Sequence, residues 1–299
     1  MNPQITAIIV TYNGMRWYDR CLGSLRNSET PTSVVVIDNA STDGSAEYIK
    51  ERFPEVHLIE SQENLGFAKA NNIGMRKALD DGADYVFLLN QDAWVEPNTL
   101  TELVKTFQDN DKVGIAAPVH LNGAYSELDF KFAQYMGSKF TSDAYMHSIK
   151  PCYEVPFVNA AAWLISRLCL ETVGGFDTLL FRHYGEDNNY CQRVYFHGFR
   201  IIVNTACTIC HDRESLQGDH QKYLTISSQT PFYELRKKMG DVNQNIDIDK
   251  EIQLLKRKKV RRILTGQLKG IKQIDEQISN WQLIGQSRQQ NRTAGTHWL

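Results

Sequence analysis

Four groups of side chains that can bind a metal ion or move a proton occur in order along this 299-residue sequence. Asp38 follows the apolar run VVVI, Asp92 comes shortly after VFLL, Glu186 and Asp187 are adjacent, and His211 comes later. In an open parallel sheet, ligands bind just beyond the carboxyl ends of the strands. A carboxylate there can meet a nucleotide or a metal without being desolvated in the core. This order of residues indicates a nucleotide-dependent enzyme that uses a divalent cation.

Short β-rich runs alternate with helical stretches over residues 1–117, and this alternation would position the first two carboxylates. It is typical of βαβ units with right-handed crossovers. We therefore expect an α/β fold whose central sheet is Rossmann-like, mainly parallel and flanked by helices. The predicted strands are ITAIIVT, SVVVID, VHLIE, DYVFLLN and VGIAA, and the predicted helices cover residues 17–26, 45–52, 67–79 and 99–107.

The sequence divides into a catalytic domain at residues 1–230 and a helical, basic C-terminal extension at residues 231–299. Within the domain, we expect a nucleotide-binding half at about 1–117 and an acceptor half at about 118–230. Residues 118–156 mix aromatic and polar side chains without a clean period. A loop of this length is usually functional or mobile, so we expect such a loop there.

The extension differs from the domain in charge. Residues 231–299 contain 14 Lys and Arg against 7 Asp and Glu, a net +7, whereas residues 1–230 contain 19 against 28, a net −9. An acidic body argues against nucleic-acid binding, which normally needs a basic surface on the folded domain. The basic run KRKKVRR at 256–262 leaves two interpretations open: helices that pack on the body with a solvated charged face, or an amphipathic surface for anionic lipid or a lipid-linked acceptor. Residues 286–299 are expected to form a frayed polar terminus.

The N-terminal sequence and the six cysteines indicate a reducing compartment. The start MNPQITAIIVTYNG lacks the charged segment of a secretory signal, and no apolar run approaches the ~18 residues that span a bilayer. We expect a cytoplasmic protein that can also lie peripherally at the inner face of the cell membrane. The scattered cysteines are expected to be buried thiols. Cys207, Cys210 and His211 match a c-type haem attachment pattern, but two structural thiols beside a functional or structural histidine are favoured.

Five motifs occur in order between residues 4 and 212: VTYNG, VIDNASTDGS, ENLGFAKANNIG, LLNQDAWVEP and GGFDTLLFRHYGEDNNYCQR. Together they closely resemble the family 2 inverting glycosyltransferases with the GT-A fold, especially the bacterial rhamnosyltransferase-like members. The resemblance implies transfer of a sugar from a nucleoside diphosphate sugar, dTDP-rhamnose or a UDP-hexose, to a hydroxyl of a saccharide or lipid-linked acceptor. It also implies inversion at the anomeric carbon, a role in surface polysaccharide synthesis, and Mg²⁺ or Mn²⁺ as the cofactor.

Residues after the first two predicted strands are candidates for binding the donor. Thr11, Tyr12 and Asn13 end the first strand, where backbone groups and a flat ring can hold a base. A tyrosine there is also an ordinary strand-end aromatic. Asp38 can accept hydrogen bonds from base N–H or ribose hydroxyl groups, or it can cap the following helix. The resemblance favours the ligand role for Asp38.

A second set of donor-binding candidates lies in the loop and helix start after the third predicted strand. Asn64 falls in this loop, and Gly66 would allow the backbone to approach a ligand closely. Lys69 could face the donor phosphate or simply water.

The resemblance implies a metal site at Asn90-Gln91-Asp92, which occupies the position of the family's Asp-x-Asp motif. A diphosphate leaving group needs its charge neutralised, and a hard divalent ion does this with oxygen ligands. Asp92 is the implied metal ligand, while Asn90, in place of the first Asp, is expected to hold the sugar or ribose of the donor. The site therefore has one charge fewer than the usual motif. His211 is implied to bind the metal or the diphosphate.

The acidic pair Glu186–Asp187 matches the family's pair at the start of a helix. The resemblance implies that Asp187 is the catalytic base, which takes the proton from the acceptor hydroxyl, and places Glu186 in the substrate site. Adjacent carboxylates are also ordinary charges at a helix N-terminus. Asn189 stands where the family usually has another Asp. Arg193, within two turns, could pair with Glu186 or face phosphate.

Two competing hypotheses remain open beside an inverting glycosyltransferase. A sugar-nucleotide pyrophosphorylase would need a Gly-rich phosphate loop near the N-terminus, and TYNGMRWYDR is poor in glycine. A catalytically silent module that binds sugar nucleotides or membranes would not need both Asp92 and Asp187.

Overall fold

The computed structural model describes residues 3–108, 110, 112–182, 184–213 and 232–299. In these ranges the strands are β1 (Ile5–Thr11), β2 (Thr32–Asp38), β3 (His57–Glu60), β4 (Tyr85–Leu89), β5 (Ala93–Val95), β6 (Val113–Asn122), β7 (Cys152–Glu154), β8 (Ala162–Ser166) and β9 (Arg200–His211). The helices are α1 (Tyr18–Arg26), α2 (Ser45–Arg52), α3 (Gly66–Asp80), α4 (Thr99–Lys105), α5 (Phe130–Tyr145), α6 (Arg167–Val173), α7 (Glu186–Phe196), α8 (Tyr233–Met239), α9 (Ile248–Leu264) and α10 (Ile271–Asn291). A 3₁₀ turn at Met15–Trp17 precedes α1.

These strands form one sheet in the order β3-β2-β1-β4-β8-β6-β9-β5, and β7 also pairs with β9. The N-terminal part is parallel, as predicted, because β1 pairs in parallel with β2 and β4, and β2 with β3. β6 and β9 are also parallel. β8 joins the two parts through antiparallel pairings with β4 and β6. β5 and β7 add antiparallel pairings to β9, so the complete sheet is mixed.

The apolar run of β1 places it in the middle of the N-terminal layers. The sequence of a strand that is covered by helices on both faces is a nearly continuous apolar run, because neither face meets water. Ile8 packs on one side of the sheet with Met75 of α3, and Ile9 packs on the other side with Leu22 of α1. At Gly74 a Cβ atom would lie 2.5 Å from Ile8 Cγ2, so glycine allows α3 to approach the sheet closely. This packing leaves the carboxyl ends of β1, β2 and β4 along a shared edge.

The expectation of a long loop at residues 118–156 is wrong. β6 continues to Asn122, and α5 and β7 fall within the segment. Gly137, with φ 70° and ψ −177°, interrupts α5, so one helical phase does not run through it. Phe130 and Tyr145 are exposed while Phe132 is buried, which hides the apolar face in the sequence. The interruption and these exposed aromatic rings explain why periodicity did not reveal the helix.

The C-terminal extension is helical, as predicted, but residues 286–299 are not a frayed terminus. α10 continues to Asn291, and the backbone beyond it bonds to the catalytic domain. Gly295 N donates to Thr172 O at 2.8 Å, and Gly175 N donates to His297 O at 2.8 Å. Backbone groups of this segment are thus paired with backbone groups of the body. The predicted boundary at residue 230 lies outside the described residues.

Across the ranges that the structure describes, no helix combines the length and apolarity needed to cross a bilayer.

Candidate active site

The carboxyl ends of the parallel strands form a surface that we call the strand edge, made of the loops at residues 11–13, 38–42 and 90–92. Asn13, with φ 49°, donates its N–H to Ser41 Oγ at 2.9 Å and accepts from Thr42 N at 2.8 Å. Tyr12 N donates to Gln91 Oε1 at 3.0 Å. Hydrogen bonds between loops that follow neighbouring strands thus shape this edge. Thr11, buried below it, donates from Oγ1 to the same Gln91 oxygen at 2.6 Å.

Asp38 offers the strand edge an unused hydrogen-bond acceptor. Its Oδ2 accepts from Ser41 N at 3.2 Å, which is the turn-capping role. Its Oδ1 is buried and has no hydrogen-bond partner among the described residues. A buried polar atom left unpaired costs about 1–3 kcal/mol, so an N–H or O–H donor of a ligand would be favoured there. Tyr12, with 40% of its surface exposed, lies on the same edge.

The loop before α3 is joined to the strand edge through Asn39, the residue after Asp38. Leu65 N donates to Asn39 Oδ1 at 2.8 Å, and Asn39 Nδ2 donates to Gly66 O at 3.4 Å. Gly66 has φ +80° and donates its N–H to Asn64 Oδ1 at 3.0 Å.

Lys69 lies in a different place from the other donor-binding candidates. It is exposed, and with Asn64 it lines a separate hollow of about 250 Å³ that also includes Phe181 and Arg182. Gly66 therefore lies beside the strand edge and Lys69 faces this hollow, while Asn64 contributes to both places.

The candidate metal ligands Asp92 and His211 are neighbours. Asp92 Oδ1 lies 3.5 Å from His211 Nε2, and Asn90 Nδ2 lies 3.4 Å from the same ring nitrogen. Both Asp92 and His211 are buried. Burial opposes the charge on Asp92, but attraction and hydrogen bonding by His211 outweigh this, so the pKa of Asp92 is lowered. Asp92 is thus held as a carboxylate beside an imidazole nitrogen.

This pair fits a divalent ion as a partial ligand set. Oxygen and imidazole ligands about 2 Å from one ion would be separated by about 3 Å, close to the 3.5 Å seen here. His211 Nδ1 lies 3.6 Å from Asp129 Oδ2, beyond hydrogen-bond distance, so Asp129 is a charged neighbour of the ring and not a bonded one. No cluster of three or more His, Cys, Asp or Glu suited to a metal occurs in the described ranges. Other ligands would therefore come from substrate oxygens and water.

A cleft of about 420 Å³ brings Asn90 together with the acidic pair. Asp187 lies at the start of α7, where its Oδ1 accepts from Asn188 N at 2.7 Å. Other walls of the cleft are formed by α5, by the segment before β8 and by Arg213. The lining residues are Phe67, Asn90, Lys131, Tyr135, Asn159, Ala160, Ala161, Tyr184, Glu186, Asp187 and Arg213.

The two carboxyl groups of the acidic pair have different electrostatic surroundings. Burial, and then repulsion by Asp187, raises the pKa of Glu186. Burial also raises the pKa of Asp187, but attraction by Lys237 and Arg213 works against that rise. Two adjacent carboxyl groups do not both ionise readily. Negative charge is therefore more favourable on the half-buried Asp187, beside Lys237 and Arg213, than on the buried Glu186.

Arg193 does not have the predicted role of pairing with Glu186 or facing phosphate. Its guanidinium is fully buried and donates to Val173 O at 2.8 Å, Gly175 O at 2.6 Å and Asn189 Oδ1 at 3.1 Å. Three donor atoms are thus directed at the loop after α6 and at its own helix. The structure makes Arg193 a support for α7, and Asn189 a partner of that support.

The sequence prediction missed the cleft residues contributed by the 118–156 segment and by Arg213. Asp129 caps α5, accepting from Lys131 N at 3.0 Å and Phe132 N at 2.9 Å. Its other oxygen accepts from Arg213 Nε at 2.6 Å. An aspartate three residues before a buried phenylalanine is a helix N-terminus signal that could have located α5. The contribution of Arg213 carries no comparable local signal, because its contact spans 84 residues.

The cysteines form no disulfide in the described ranges, and five of the six are buried. Cys207 and Cys210 lie within β9, where burial raises the pKa of Cys207 to about 12. Their surroundings are those of structural thiols, as favoured from the sequence. Cys152 is exposed, contrary to the expectation for all six.

Comparisons with known proteins find similar sequences and similar folds. The sequence matches the family model described as Glycosyl transferase family 2 over residues 6–173. It is 27% identical to the dTDP-rhamnosyl transferase RfbF of Shigella flexneri over 212 residues, covering 71% of this chain and 70% of that protein. It is 25% identical to the N-acetylglucosaminyl-diphospho-decaprenol L-rhamnosyltransferase of Mycobacterium tuberculosis over 260 residues, covering 78% and 84%.

Two solved structures show the same fold. S. aureus TarS 1–349 in complex with UDP-GlcNAc superposes with a TM-score of 0.59 at 18% identity, covering 95% of this chain and 80% of that one. The mannosyltransferase PcManGT from Pyrobaculum calidifontis, in complex with GDP-Man and Mn²⁺, gives a TM-score of 0.55 at 18% identity, covering 96% and 74%. The predicted α/β GT-A fold is confirmed by these glycosyltransferase neighbours.

Proposed function

Because this chain belongs to glycosyl transferase family 2, and is therefore a glycosyltransferase, we propose that it transfers rhamnose from dTDP-rhamnose with inversion. The observation that supports this proposal is the shared cleft, which is lined by Asn90, two residues from Asp92, and by Asp187, the proposed base. The donor assignment is supported by the relative named as a dTDP-rhamnosyl transferase. We propose a saccharide or lipid-linked acceptor, supported by the relative whose name includes a decaprenol-linked sugar.

The strand edge is the proposed site for the nucleotide. Asp38 Oδ1 is the unpaired acceptor there, suited to a base N–H or a ribose hydroxyl. Tyr12 presents a partly exposed ring, and the hydrogen bonds of Asn13 hold the loop that carries it. These intramolecular contacts hold the loops in place, so little ordering of the loops would oppose donor binding.

We propose that Asp92 and His211 hold Mg²⁺ or Mn²⁺. When bound, such an ion neutralises the negative charge of the diphosphate as the glycosidic bond breaks. Asp92 contributes an ionised carboxylate, and His211 contributes the Nε2 atom 3.5 Å from it. Lys131 and Arg213 add two positive charges to the cleft, where they can also attract diphosphate oxygens.

Asp187 is the proposed catalytic base. As the acceptor oxygen attacks the anomeric carbon, its proton passes to Asp187, the new carbon–oxygen bond forms, and the nucleoside diphosphate leaves with the electrons of the old bond. Attack on the face opposite the leaving group inverts the anomeric carbon. Glu186, kept protonated by burial and by Asp187, can donate a hydrogen bond to substrate. We place this reaction in surface polysaccharide synthesis at the cytoplasmic side of the cell membrane.

The proposal is tested by incubating the full chain with dTDP-rhamnose, or with UDP-hexoses, in the presence of Mn²⁺ and a lipid-diphosphate N-acetylglucosamine acceptor. We expect release of dTDP that depends on the acceptor and a product whose anomeric configuration, measured by NMR, is inverted. Faster turnover of a UDP-hexose would overturn the donor assignment. Donor binding with no turnover of any pair would favour a silent module, and synthesis of a nucleotide sugar from a sugar phosphate would favour a pyrophosphorylase.

A further inference from the structure

The far end of the α9–α10 hairpin is both basic and aliphatic. We call residues 254–270 the hairpin tip. It contains seven Lys and Arg and no Asp or Glu. Five of its six aliphatic side chains are exposed: Leu254 at 48%, Val260 at 55%, Ile263 at 48%, Leu264 at 81% and Leu268 at 65%, whereas Leu255 packs towards the base of the hairpin.

The aliphatic stripe of α9 continues beyond the core that its first half joins. Near the base of the hairpin, Ile248, Ile252 and Leu255 pack with Trp281 and Ile284 of α10. Farther along, Val260 and Leu264 line an open hollow of about 490 Å³, together with Lys256, Arg257, Arg261 and Thr265. The two interpretations of this helix therefore apply to different halves: the base packs on the body, whereas the tip presents a surface.

The cations of the tip are only partly neutralised by their neighbours. Lys259 Nζ donates to Asp275 of α10 at 2.6 Å, and Arg262 Nη1 donates to Lys269 O at 2.7 Å. The ion pairs found in the described ranges include none of the four remaining cations that α9 contributes to the tip. These four, which are all exposed, are Lys256, Arg257, Lys258 and Arg261.

We propose that the hairpin tip docks on an anionic lipid membrane. A helix with aliphatic and Lys/Arg side chains on one surface lies at a lipid interface, where the aliphatic groups enter the acyl boundary and the cations meet anionic headgroups. A second copy of this chain is a poorer occupant, because its tip would oppose this one with the same charge. A nucleic acid would leave the aliphatic groups without an apolar partner.

Docking at the tip would orient the catalytic cleft. At the base of the hairpin, Trp281 and Ile284 pack against Leu180 and Phe181. Phe181 also lies beside Gly185, the residue that precedes α7, where a Cβ atom would meet the phenyl ring at 2.8 Å. A short chain of packed residues thus connects the base of the hairpin, which carries the tip, to Gly185 beside the acidic pair. That this orientation serves a lipid-linked acceptor rests on the proposed function, whereas the docking itself does not.

Vesicle sedimentation with the full chain tests the docking without any substrate. The vesicles contain phosphatidylcholine alone or are rich in phosphatidylglycerol. The tip variant changes Lys256, Arg257, Lys258 and Arg261 to Gln, and the matched control changes four exposed cations elsewhere, Arg26, Lys50, Lys105 and Arg200, to Gln.

We expect the wild type and the control to sediment with anionic vesicles and not with neutral ones. Each basic residue near the lipid contributes about fivefold, so the tip variant should lose binding by about several hundred-fold. Higher salt should weaken wild-type binding. A second variant, Val260→Gln, Leu264→Gln and Leu268→Gln, should bind anionic vesicles less tightly while keeping its salt dependence. Circular dichroism and turnover of a soluble acceptor should be unchanged in both variants.

Equal sedimentation of the wild type and the folded tip variant would overturn the proposal, as would equal binding to neutral vesicles. If light scattering shows a dimer that the aliphatic variant abolishes, while vesicles bind neither protein, the tip is a self-association surface instead. Docking without sugar transfer would leave the membrane surface standing and contradict only the proposed function.

Discussion

The strand edge and the acidic end of the cleft are built in different ways. At the strand edge, the loops after β1, β2 and β4 hold one another through bonds such as Thr42 N to Asn13 Oδ1. The segment at 174–187, which carries the acidic pair and which we call the acid edge, is held from distant parts of the chain. The strand edge therefore follows from the parallel sheet, whereas the acid edge depends on the C-terminal extension.

Asp177 is the main link between the acid edge and α10. It is fully buried, and its Oδ2 accepts from Ser287 Oγ at 2.5 Å and Asn291 Nδ2 at 2.9 Å. Its Oδ1 accepts from Leu179 N at 2.9 Å and Leu180 N at 3.1 Å. One carboxylate thus fixes the turn before α7 and attaches α10 to it.

Asn72 of α3 provides a second link at the same place. Its Oδ1 accepts from Phe176 N at 2.7 Å, while its Nδ2 donates to Phe176 O and to Trp298 O, each at 2.9 Å. Residues near the end of the sequence therefore support the turn that leads to Asp187. The extension supports the proposed catalytic base as well as carrying the basic tip.

Removing the Asp177 carboxylate, which links the acid edge to α10, should have the largest effect on the free energy of unfolding. Asp177→Ala would leave Ser287, Asn291 and two backbone N–H groups without their acceptor in a buried site. The loss should lower the free energy of unfolding by about 3 kcal/mol, measured by urea denaturation. Asp80→Ala, an exposed aspartate at the end of α3, is the matched control and should change it by less than about 0.5 kcal/mol. A loss at Asp177 no larger than the control's would show that the acid edge does not depend on this link.

Removing the proposed metal ligand Asp92 from the strand edge should weaken donor binding and leave folding largely intact. Asp92→Ala removes the carboxylate of the pair, so calorimetry should show Mn²⁺-dependent dTDP affinity falling by at least about 10-fold, or 1.4 kcal/mol. His211→Ala should show a milder form of the same defect. Affinity without Mn²⁺ is the control and should change little. If the Mn²⁺-dependent affinity of Asp92→Ala equals that of the wild type, the metal assignment is wrong.

The acid edge should also show its own pH dependence. Because the pKa of Glu186 is raised in the folded protein, its contribution to stability is present at low pH and is lost as pH rises through the folded pKa. Each tenfold difference in proton affinity between the folded and unfolded states corresponds to about 1.4 kcal/mol at high pH. Glu186→Gln should therefore gain stability relative to the wild type as pH increases from about 5 to 9, in metal-free thermal unfolding. Glu47→Gln, on the exposed face of α2, should show the same dependence of stability on pH as the wild type. If the stability of Glu186→Gln also shows that dependence, burial does not oppose the charge of Glu186.

The difference between the two edges also explains what could be predicted from sequence. The strands ending at Thr11 and Asp38 were located because short apolar runs and the residues after them are local features. The family motifs located Asn90 and Asp187, which line one cleft in the structure. Arg193 was misassigned because its sequence position, two turns from an acidic pair, does not reveal which carbonyl groups it meets. Tertiary contacts across more than 100 residues, such as Asn72 with Trp298, leave no local pattern.

The central claim is that the strand edge binds the donor in the ground state and that Asp187 acts when the acceptor loses its proton. The most direct test is to measure turnover and donor affinity together for Asp187→Asn, with Asp80→Asn as the control. An interaction used only in the transition state should affect turnover and not donor binding. We predict that transfer falls about 10²–10⁴-fold while the Kd for dTDP-rhamnose with Mn²⁺ stays within about twofold. Transfer by Asp187→Asn near the wild-type rate would contradict the account and would point to Glu186 as the base.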